Sequence, residues 1–229
     1  MLVGRLTGPI SWGVSVVDAS RRPLLHDRLL SDAVAKHLYL KARWQDEQLR
    51  SLGHSTIMMV EEPYMASYGS MHVGVEREQV AEMLGQVFAG VQGLKGVHCC
   101  GNTDWSVILS APVDVISLDA YDYGQSLAAH AEAIDSFLHR GGIIAWGITP
   151  ASAAALGETA SGLANRIESI LARLAELGVD GDLLAGSALV SPSCGLGALA
   201  PRVAESIYDL TAAVSGEMVR RLGVSAGTS

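Results

Sequence analysis

Short apolar runs alternate with longer segments of mixed polarity along the whole chain. The runs are continuous rather than alternating, which is typical of strands that are buried on both faces. The segments between them repeat apolar residues every three or four positions, as amphipathic helices do. This pattern predicts strands at 5–17, 55–60, 97–100, 113–119, 143–148 and 188–191. It predicts helices at 32–52, 76–91, 125–138, 158–177 and 204–222, with a short helix or turn at 104–109.

Alternation of strands with helices predicts an α/β fold whose strands are parallel and whose crossovers are right-handed. Such a sheet either closes into a (β/α) TIM-type barrel or stays open, and both forms place their active sites at the carboxyl ends of the strands. No linker, repeat or low-complexity block divides the sequence, so residues 1–229 are predicted to form a single domain. The residues that follow each strand are therefore the candidates for chemistry.

The strand at 97–100 carries the most specific of these candidates. His98 and Cys100 are two positions apart, so an extended chain places both side chains on one face and Cys99 on the other. An imidazole beside a thiolate is half of a zinc site. The remaining cysteine, Cys194, follows the strand at 188–191 and would reach the same edge of a barrel. These three donors predict a zinc site, and the alternative is a core histidine with packed thiols.

Zinc prefers four ligands, and Asp119 is the predicted fourth. It ends the strand at 113–119, in phase with Val115 and Ser117, so it shares their face of the sheet. The alternative for this carboxylate is a helix N-cap or a hydrogen bond within a loop. Asp122 is the second choice for the fourth ligand.

Two more groups of polar residues follow strands. Glu61 and Glu62 end the strand at 55–60 and could bind a substrate ammonium or orient a ligand, although a solvated turn stopped by Pro63 is the alternative. Asn102 and Asp104 lie just beyond the metal pair and are predicted to line the substrate pocket.

Composition narrows the range of functions. The formal net charge of −8 argues against nucleic acid as a partner, because phosphate binding needs a basic surface. The sequence contains no apolar stretch of about 20 residues that would predict a membrane span. The N-terminus lacks the charged start and long apolar run of a secretory signal. Three cysteines, two of them adjacent, do not make a disulfide framework and favour a reducing cytoplasm.

Zinc held by two thiolates and an imidazole is an electron-rich, modest Lewis acid. Such a site is better at holding a substrate thiol as its thiolate than at activating water. Because the thiolate is the nucleophile, the predicted reaction is attack of a zinc-bound thiol on an electrophilic carbon, most simply a methyl group.

These motifs resemble the catalytic barrel of cobalamin-independent methionine synthase. The resemblance covers nearly the whole chain, and it implies zinc ligands at His98, Cys100, Asp119 and Cys194 and a homocysteine-binding role for the acidic pair. The nearest likeness is to uncharacterised relatives of that family. The wider superfamily includes uroporphyrinogen decarboxylase and the corrinoid:thiol methyltransferases. The segments that carry the resemblance are His98-x-Cys100, 114–119 (Asp-Val-Ile-Ser-Leu-Asp), 192–196 (Pro-Ser-Cys-Gly-Leu), 6–11 (Leu-Thr-Gly-Pro-Ile-Ser) and 61–63 (Glu-Glu-Pro).

The sequence departs from that family in four ways. Asp119 replaces a glutamate, 148–150 (Ile-Thr-Pro) lacks a histidine thought to act as an acid, and Gly197 and Ala198 replace basic residues. The family barrel has eight strands, and this chain matches from the third, so an incomplete barrel of about six βα units is expected. It would be a fragment, a misassigned start or half of an oligomeric barrel. Two open sheet edges predict pairing with a second copy or another chain.

The predicted function is a zinc-dependent methyltransferase of the methionine synthase type. Its partners would be a homocysteine-like thiol and a methyl donor, either a folate or methylcobalamin. The alternatives are a corrinoid-dependent thiol methyltransferase of the same superfamily and a non-catalytic barrel remnant whose zinc is structural or absent.

Overall fold

The computed structural model describes residues 1–71 and 73–223. The chain divides into two compact units, Met1–Val115 and Ile116–Ser229. Each unit is built from parallel strands that alternate with helices. The prediction that residues 1–229 form a single domain stays a prediction.

The first unit contains three strands, and their order in the sheet follows the chain. β1 pairs with β2, and β2 pairs with β3, both in parallel. In this register Thr7 lies beside Glu61, and Glu61 lies beside His98. The strand ends therefore meet at one edge. The elements are β1 (Leu2–Thr7), α1 (Pro9–Ser15), α2 (Arg28–Arg50), β2 (Thr56–Glu61), α3 (Arg77–Phe88), β3 (Leu94–Cys99) and α4 (Trp105–Ile108), with short 3₁₀ turns at Leu24–His26 and Pro63–Ser67.

Two local predictions for this unit are wrong at the start of the chain. The segment 5–17 is not a single strand, because β1 ends at Thr7 and Pro9 begins α1. Proline is well suited to the first turn of a helix, since its φ is already helical and the N–H that it lacks has no partner there. The first long helix begins at Arg28 rather than after Ser31, because the Asp27 carboxylate accepts hydrogen bonds from the amides of Leu29 and Leu30.

The second unit also has three strands whose order follows the chain. β5 and β6 run parallel, and Gly147 lies beside Ser191. The elements are β4 (Val115–Asp119), α5 (Ala120–Tyr123), α6 (Ala131–His139), β5 (Ile143–Thr149), α7 (Ala160–Glu176), α8 (Gly181–Gly186), β6 (Ala188–Pro192) and α9 (Pro201–Leu222), with 3₁₀ segments at Gly124–His130 and Ala153–Gly157. The helix predicted at 125–138 is thus half 3₁₀, and α8 was not predicted.

Six βα units in the described residues confirm the predicted fold class, a (β/α) TIM-type architecture with fewer strands than the eight of a full barrel. β2, β4 and β5 are almost wholly buried, as expected for parallel strands covered by helices, whereas β1 and β6 have exposed or half-buried positions. Among residues 1–71 and 73–223, no helix has the length and apolar character needed to cross a membrane.

Candidate functional site

The carboxylate of Glu62 is fully buried in the first unit and bound by the start of α1. It accepts hydrogen bonds from the backbone amides of Ile10 (2.9 Å) and Ser11 (2.7 Å) and from the Ser11 hydroxyl (2.6 Å). A side chain at Gly8 would collide with this carboxylate, so glycine is required there. Burial raises the pKa of Glu62 to about 7, although the three hydrogen bonds favour the charged form.

Glu61 lies between a cation and the imidazole of His98. Its Oε1 accepts a hydrogen bond from the Arg5 guanidinium at 2.6 Å, and its Oε2 lies 3.9 Å from His98 Nε2. Burial raises the pKa of Glu61, and the Arg5 charge opposes that rise. The carboxylate thus keeps one oxygen on the guanidinium and places the other towards the histidine that the sequence predicts to be a metal ligand.

The end of β3 carries the two residues that the sequence predicts to be metal ligands, and that role stays a prediction. His98 is 3% exposed, whereas Cys100, one residue beyond the strand, is half-buried. Cys99 is fully buried, its Sγ lies 3.6 Å from the Gly101 carbonyl oxygen, and burial raises its pKa to about 12. A thiol with so high a pKa stays protonated at neutral pH, so Cys99 has the properties of a packing residue rather than a ligand.

The two residues predicted to line the substrate pocket differ in their surroundings. Asn102 is exposed. Asp104 caps α4, where its Oδ1 accepts hydrogen bonds from the amide (3.0 Å) and the hydroxyl (2.5 Å) of Ser106. The Asp104 carboxylate therefore stabilises the start of α4, and its role in lining a substrate pocket stays a prediction.

Asp119, the predicted fourth ligand, ends β4 and begins α5. Its Oδ1 accepts a hydrogen bond from the amide of Asp122 at 2.9 Å, which is the N-cap arrangement that the sequence left as the alternative. The residue is 8% exposed, and burial is the main cause of its raised pKa. A capping carboxylate can still offer its other oxygen to a metal, so the ligand role of Asp119 stays a prediction.

Cys194 is exposed in the turn that follows β6. The neighbouring residue holds this turn, because the Ser193 amide donates to the Thr149 carbonyl (2.8 Å) and the Ser193 hydroxyl accepts from the Ala151 amide (3.1 Å). On the other side, Leu196 belongs to a small apolar cluster with Ile207 of α9. The thiol is therefore carried on an anchored turn rather than a loose one.

Two residues that form hydrogen bonds near the strand ends, Ser11 and Tyr121, could not be identified from the sequence. Ser11, in the first unit, holds Glu62 and also accepts from the amide of Tyr64 at 3.1 Å. In the second unit, Tyr121 donates to Glu158 (2.6 Å), while Arg166 donates to the Tyr121 carbonyl and stacks on its ring at 3.9 Å. These partners are tens of residues apart in the chain, and no local motif links them.

No protein-family model matches this chain, and no curated protein matches it. Seventeen chains of known structure do match. One is a methyltransferase from Methanosarcina mazei, with a TM-score of 0.59 and 17% sequence identity over 94% of this chain. The match spans only 58% of that protein, so this chain corresponds to a little over half of its length. At this identity the likeness shows a shared fold.

Proposed function

We propose that this protein is a zinc-dependent methyltransferase that moves a methyl group onto the sulfur of a homocysteine-like thiol. The observation that carries the proposal is the pair of His98 and Cys100 at the end of β3, an imidazole and a thiol two positions apart, with Cys194 as the proposed third donor. The similar structure from Methanosarcina mazei is described as a methyltransferase, and that description is a second support.

The donor set fits zinc by its chemistry. One imidazole and two thiolates are the soft ligands that zinc takes in tetrahedral sites. His98 is buried at a strand end, where few side-chain rotamers are open to it, and Glu61 lies near one of its ring nitrogens. Carboxylates in that position commonly fix which nitrogen of a histidine faces the metal. Asp119 or the substrate would supply the fourth ligand.

The proposed reaction needs a deprotonated thiol. Zinc, when bound by two thiolates and an imidazole, lowers the pKa of a substrate thiol so that its thiolate is available at neutral pH. The thiol would release its proton to solvent, its sulfur would form a bond to the methyl carbon, and the donor would keep the electron pair of the bond that breaks. The chain's part is to hold the thiol in line with the donor.

Of the two adjacent acids, Glu61 is the proposed substrate contact. The Glu62 carboxylate is already satisfied by three hydrogen bonds and is fully buried. The Glu61 side chain is 25% exposed and engages Arg5 through one oxygen. Its other oxygen could accept a hydrogen bond from the ammonium group of a homocysteine-like substrate beside His98.

The proposal leaves two methyl donors open, a folate and methylcobalamin. The methionine synthase type rests on the sequence resemblance, and the second donor corresponds to the corrinoid-dependent alternative. A barrel remnant whose metal is structural is the non-catalytic alternative, and four protein ligands including Asp119 would favour it.

Two measurements test this proposal. Purified full-length protein is given homocysteine with methylcobalamin or methyltetrahydrofolate, and methionine is measured by mass spectrometry. Methionine formed from one donor, and lost in Cys100→Ser, supports the proposal and selects the donor. X-ray absorption at the zinc edge with and without homocysteine is the second measurement. A new zinc–sulfur contact supports a catalytic site, whereas an unchanged four-ligand spectrum with no methionine formed would contradict it.

A further inference from the structure

β1 is an edge strand, and one side of its backbone is open. Among the described residues it pairs with β2 and with no other strand. The amides of Leu2 and Gly8, at the two ends of β1, donate at 2.8 Å to carbonyl oxygens on the β2 side. Because alternate residues of a parallel strand bond to the same neighbour, the backbone groups of Val3, Arg5 and Thr7 point to the open edge. Proteins often block such an edge with proline, and β1 contains none.

Helix α2 exposes large apolar side chains on the side that faces this edge. α3 packs against its other side, where a Cβ added to Gly90 would lie 3.0 Å from the Tyr39 ring. Gln48 is nine residues after Tyr39, which is two and a half helical turns, so it lies on the opposite side of α2. Trp44 and Leu52, four residues before and after Gln48, are 61% and 66% exposed. Exposed apolar groups of this size are typical of an interface.

The strand edge and this side of α2 lie at the same level. A Cβ added to Gly4 would lie 3.0 Å from Leu49 Cδ1, so the end of α2 packs on the middle of β1. The Asp46 carboxylate, one turn earlier, accepts a hydrogen bond from the Thr56 hydroxyl of β2 at 2.5 Å. α2 therefore lies over both strands, and Gln48 is level with the middle of β1.

We propose that β1 and α2 form a two-fold interface with a second copy of this chain, in which the two β1 strands pair antiparallel. Arg5 then lies opposite Arg5 of the second copy, and Val3 lies opposite Thr7. These are the residues whose N–H and C=O groups are open, so each pair exchanges two hydrogen bonds. The facing arginines are tolerated because each guanidinium is bound by its own Glu61 at 2.6 Å.

The same two-fold axis brings the two α2 helices together. Neighbouring strands are about 4.8 Å apart, and α2 lies over β1 and β2, so the two helix axes come to about 10 Å, which is a normal helix packing distance. Gln48 lies on the axis, and Trp44 contacts Leu52 of the second copy. An isologous interface requires a surface that fits itself, and here the strand pairing and the helix packing use one axis. This argues for a second copy rather than a different protein, and it does not depend on the proposed zinc site.

Sedimentation velocity of the full-length protein over a series of micromolar concentrations tests the proposal. A dimer with a micromolar dissociation constant is expected, because one strand and one helix from each copy make a small interface. Val3→Pro removes an N–H at the open edge without removing a bond to β2, and symmetry doubles the loss, so the dissociation constant should rise about tenfold or more. Trp44→Glu should raise it as much. Leu40→Glu, at a 62% exposed position two turns from Gln48, is the control and should not change it.

A disulfide tests the position of the axis. Facing Cα atoms of two helices packed at about 10 Å are close enough for a disulfide, so Gln48→Cys should link two copies on oxidation. Mass spectrometry of the peptides should find position 48 joined to itself. Glu47→Cys, exposed on another side of α2, is the matched control and should form little of this product. A monomer at every concentration, equal linking by both cysteines, or equal weakening by Leu40→Glu and Trp44→Glu would overturn the proposal and leave the edge to a different polypeptide.

Discussion

Glu61 Oε2 lies 3.9 Å from His98 Nε2, and the two residues are register partners on adjacent parallel strands. The backbone thus fixes this pairing, and Arg5 on the next strand holds the other carboxylate oxygen at 2.6 Å. In the proposed zinc site, Glu61 is the group that would orient the His98 ring. This second role of Glu61 is compatible with contact to a substrate, because both use the edge of the sheet where β2 and β3 end.

Glu61→Gln tests that relationship. The amide removes the negative charge beside the imidazole, so zinc affinity should fall by about 10- to 100-fold in the proposed site. Competition with a fluorescent zinc chelator measures the change. Glu82→Gln, an exposed change on α3 in the same unit, is the matched control and should keep the affinity of the wild type. Equal affinities in both variants would show that Glu61 does not orient His98.

Glu62 should make the folded protein less stable as the pH rises. Its pKa is about 7 when folded and near 4.5 when unfolded, so the unfolded chain releases this proton first. Below pH 4.5 the residue adds no pH dependence. Between pH 4.5 and 7 its contribution falls, by about 3 kcal/mol in total. Urea unfolding at several pH values measures this slope.

Glu62→Gln removes the titrating group, so the slope between pH 4.5 and 7 should become shallower by that amount. The comparison uses the slope rather than the absolute stability, because the amide also loses hydrogen bonds to α1. Glu47→Gln, an exposed change in α2, should leave the slope as it is. An unchanged slope in the Glu62→Gln protein would mean that this carboxyl titrates in the folded state as it does in water.

Gly147→Ala should destabilise the second unit. An added Cβ would collide with the backbone oxygen of Leu118 and lie 2.8 Å from Ser193 Cα, and neither can rotate away. The expected loss is about 3 kcal/mol or more in the free energy of unfolding. Gly216→Ala is the matched control, because nothing lies near its Cβ within α9 and it should stabilise by about 0.5–1 kcal/mol. Similar stabilities for the two variants would contradict the close approach.

The three thiols should differ in their reactivity towards a disulfide reagent in metal-free protein. Cys194 is exposed and should react first, followed by the half-buried Cys100. Cys99 should react only on unfolding, because it is buried and its pKa is about 12. Mass spectrometry of the peptides after timed quenching measures this order. Early modification of Cys99 would show that the end of β3 opens in solution.

Strands buried on both faces could be predicted well from the sequence. β2 and β5 lie within a residue of their predicted bounds, because continuous apolar runs ended by polar residues are typical of such strands. β6 also lies within a residue of its predicted bounds, although it is only partly buried. The segment 5–17 could not be divided correctly, since strand and helix in it are equally apolar and Pro9 fits either a turn or a helix start. The segment Gly124–His130 is 3₁₀ rather than α-helical, and seven residues are too few for the hydrophobic pattern to distinguish the two.

Functional residues of the candidate site could be predicted only where they lie close together in the sequence. His98 and Cys100 are two positions apart, so strand geometry alone places them on one face. The engagement of Glu62 with Ser11 joins residues 51 apart, and it depends on the short helix α1 that the sequence did not indicate. Asp119 shows the converse, because a strand-end carboxylate has the same local pattern whether it caps a helix or binds a metal.

The metal content of four proteins is the most direct test of the proposed zinc site. Wild type, Cys100→Ser, Cys194→Ser and the control Cys99→Ala are purified without chelator, and zinc per chain is measured by mass spectrometry. Circular dichroism checks that each is folded. Wild type and Cys99→Ala should each hold about one zinc per chain, and the two serine variants should lose most of it. Zinc absent from the wild type, or retained equally by folded Cys100→Ser and Cys194→Ser proteins, would contradict it.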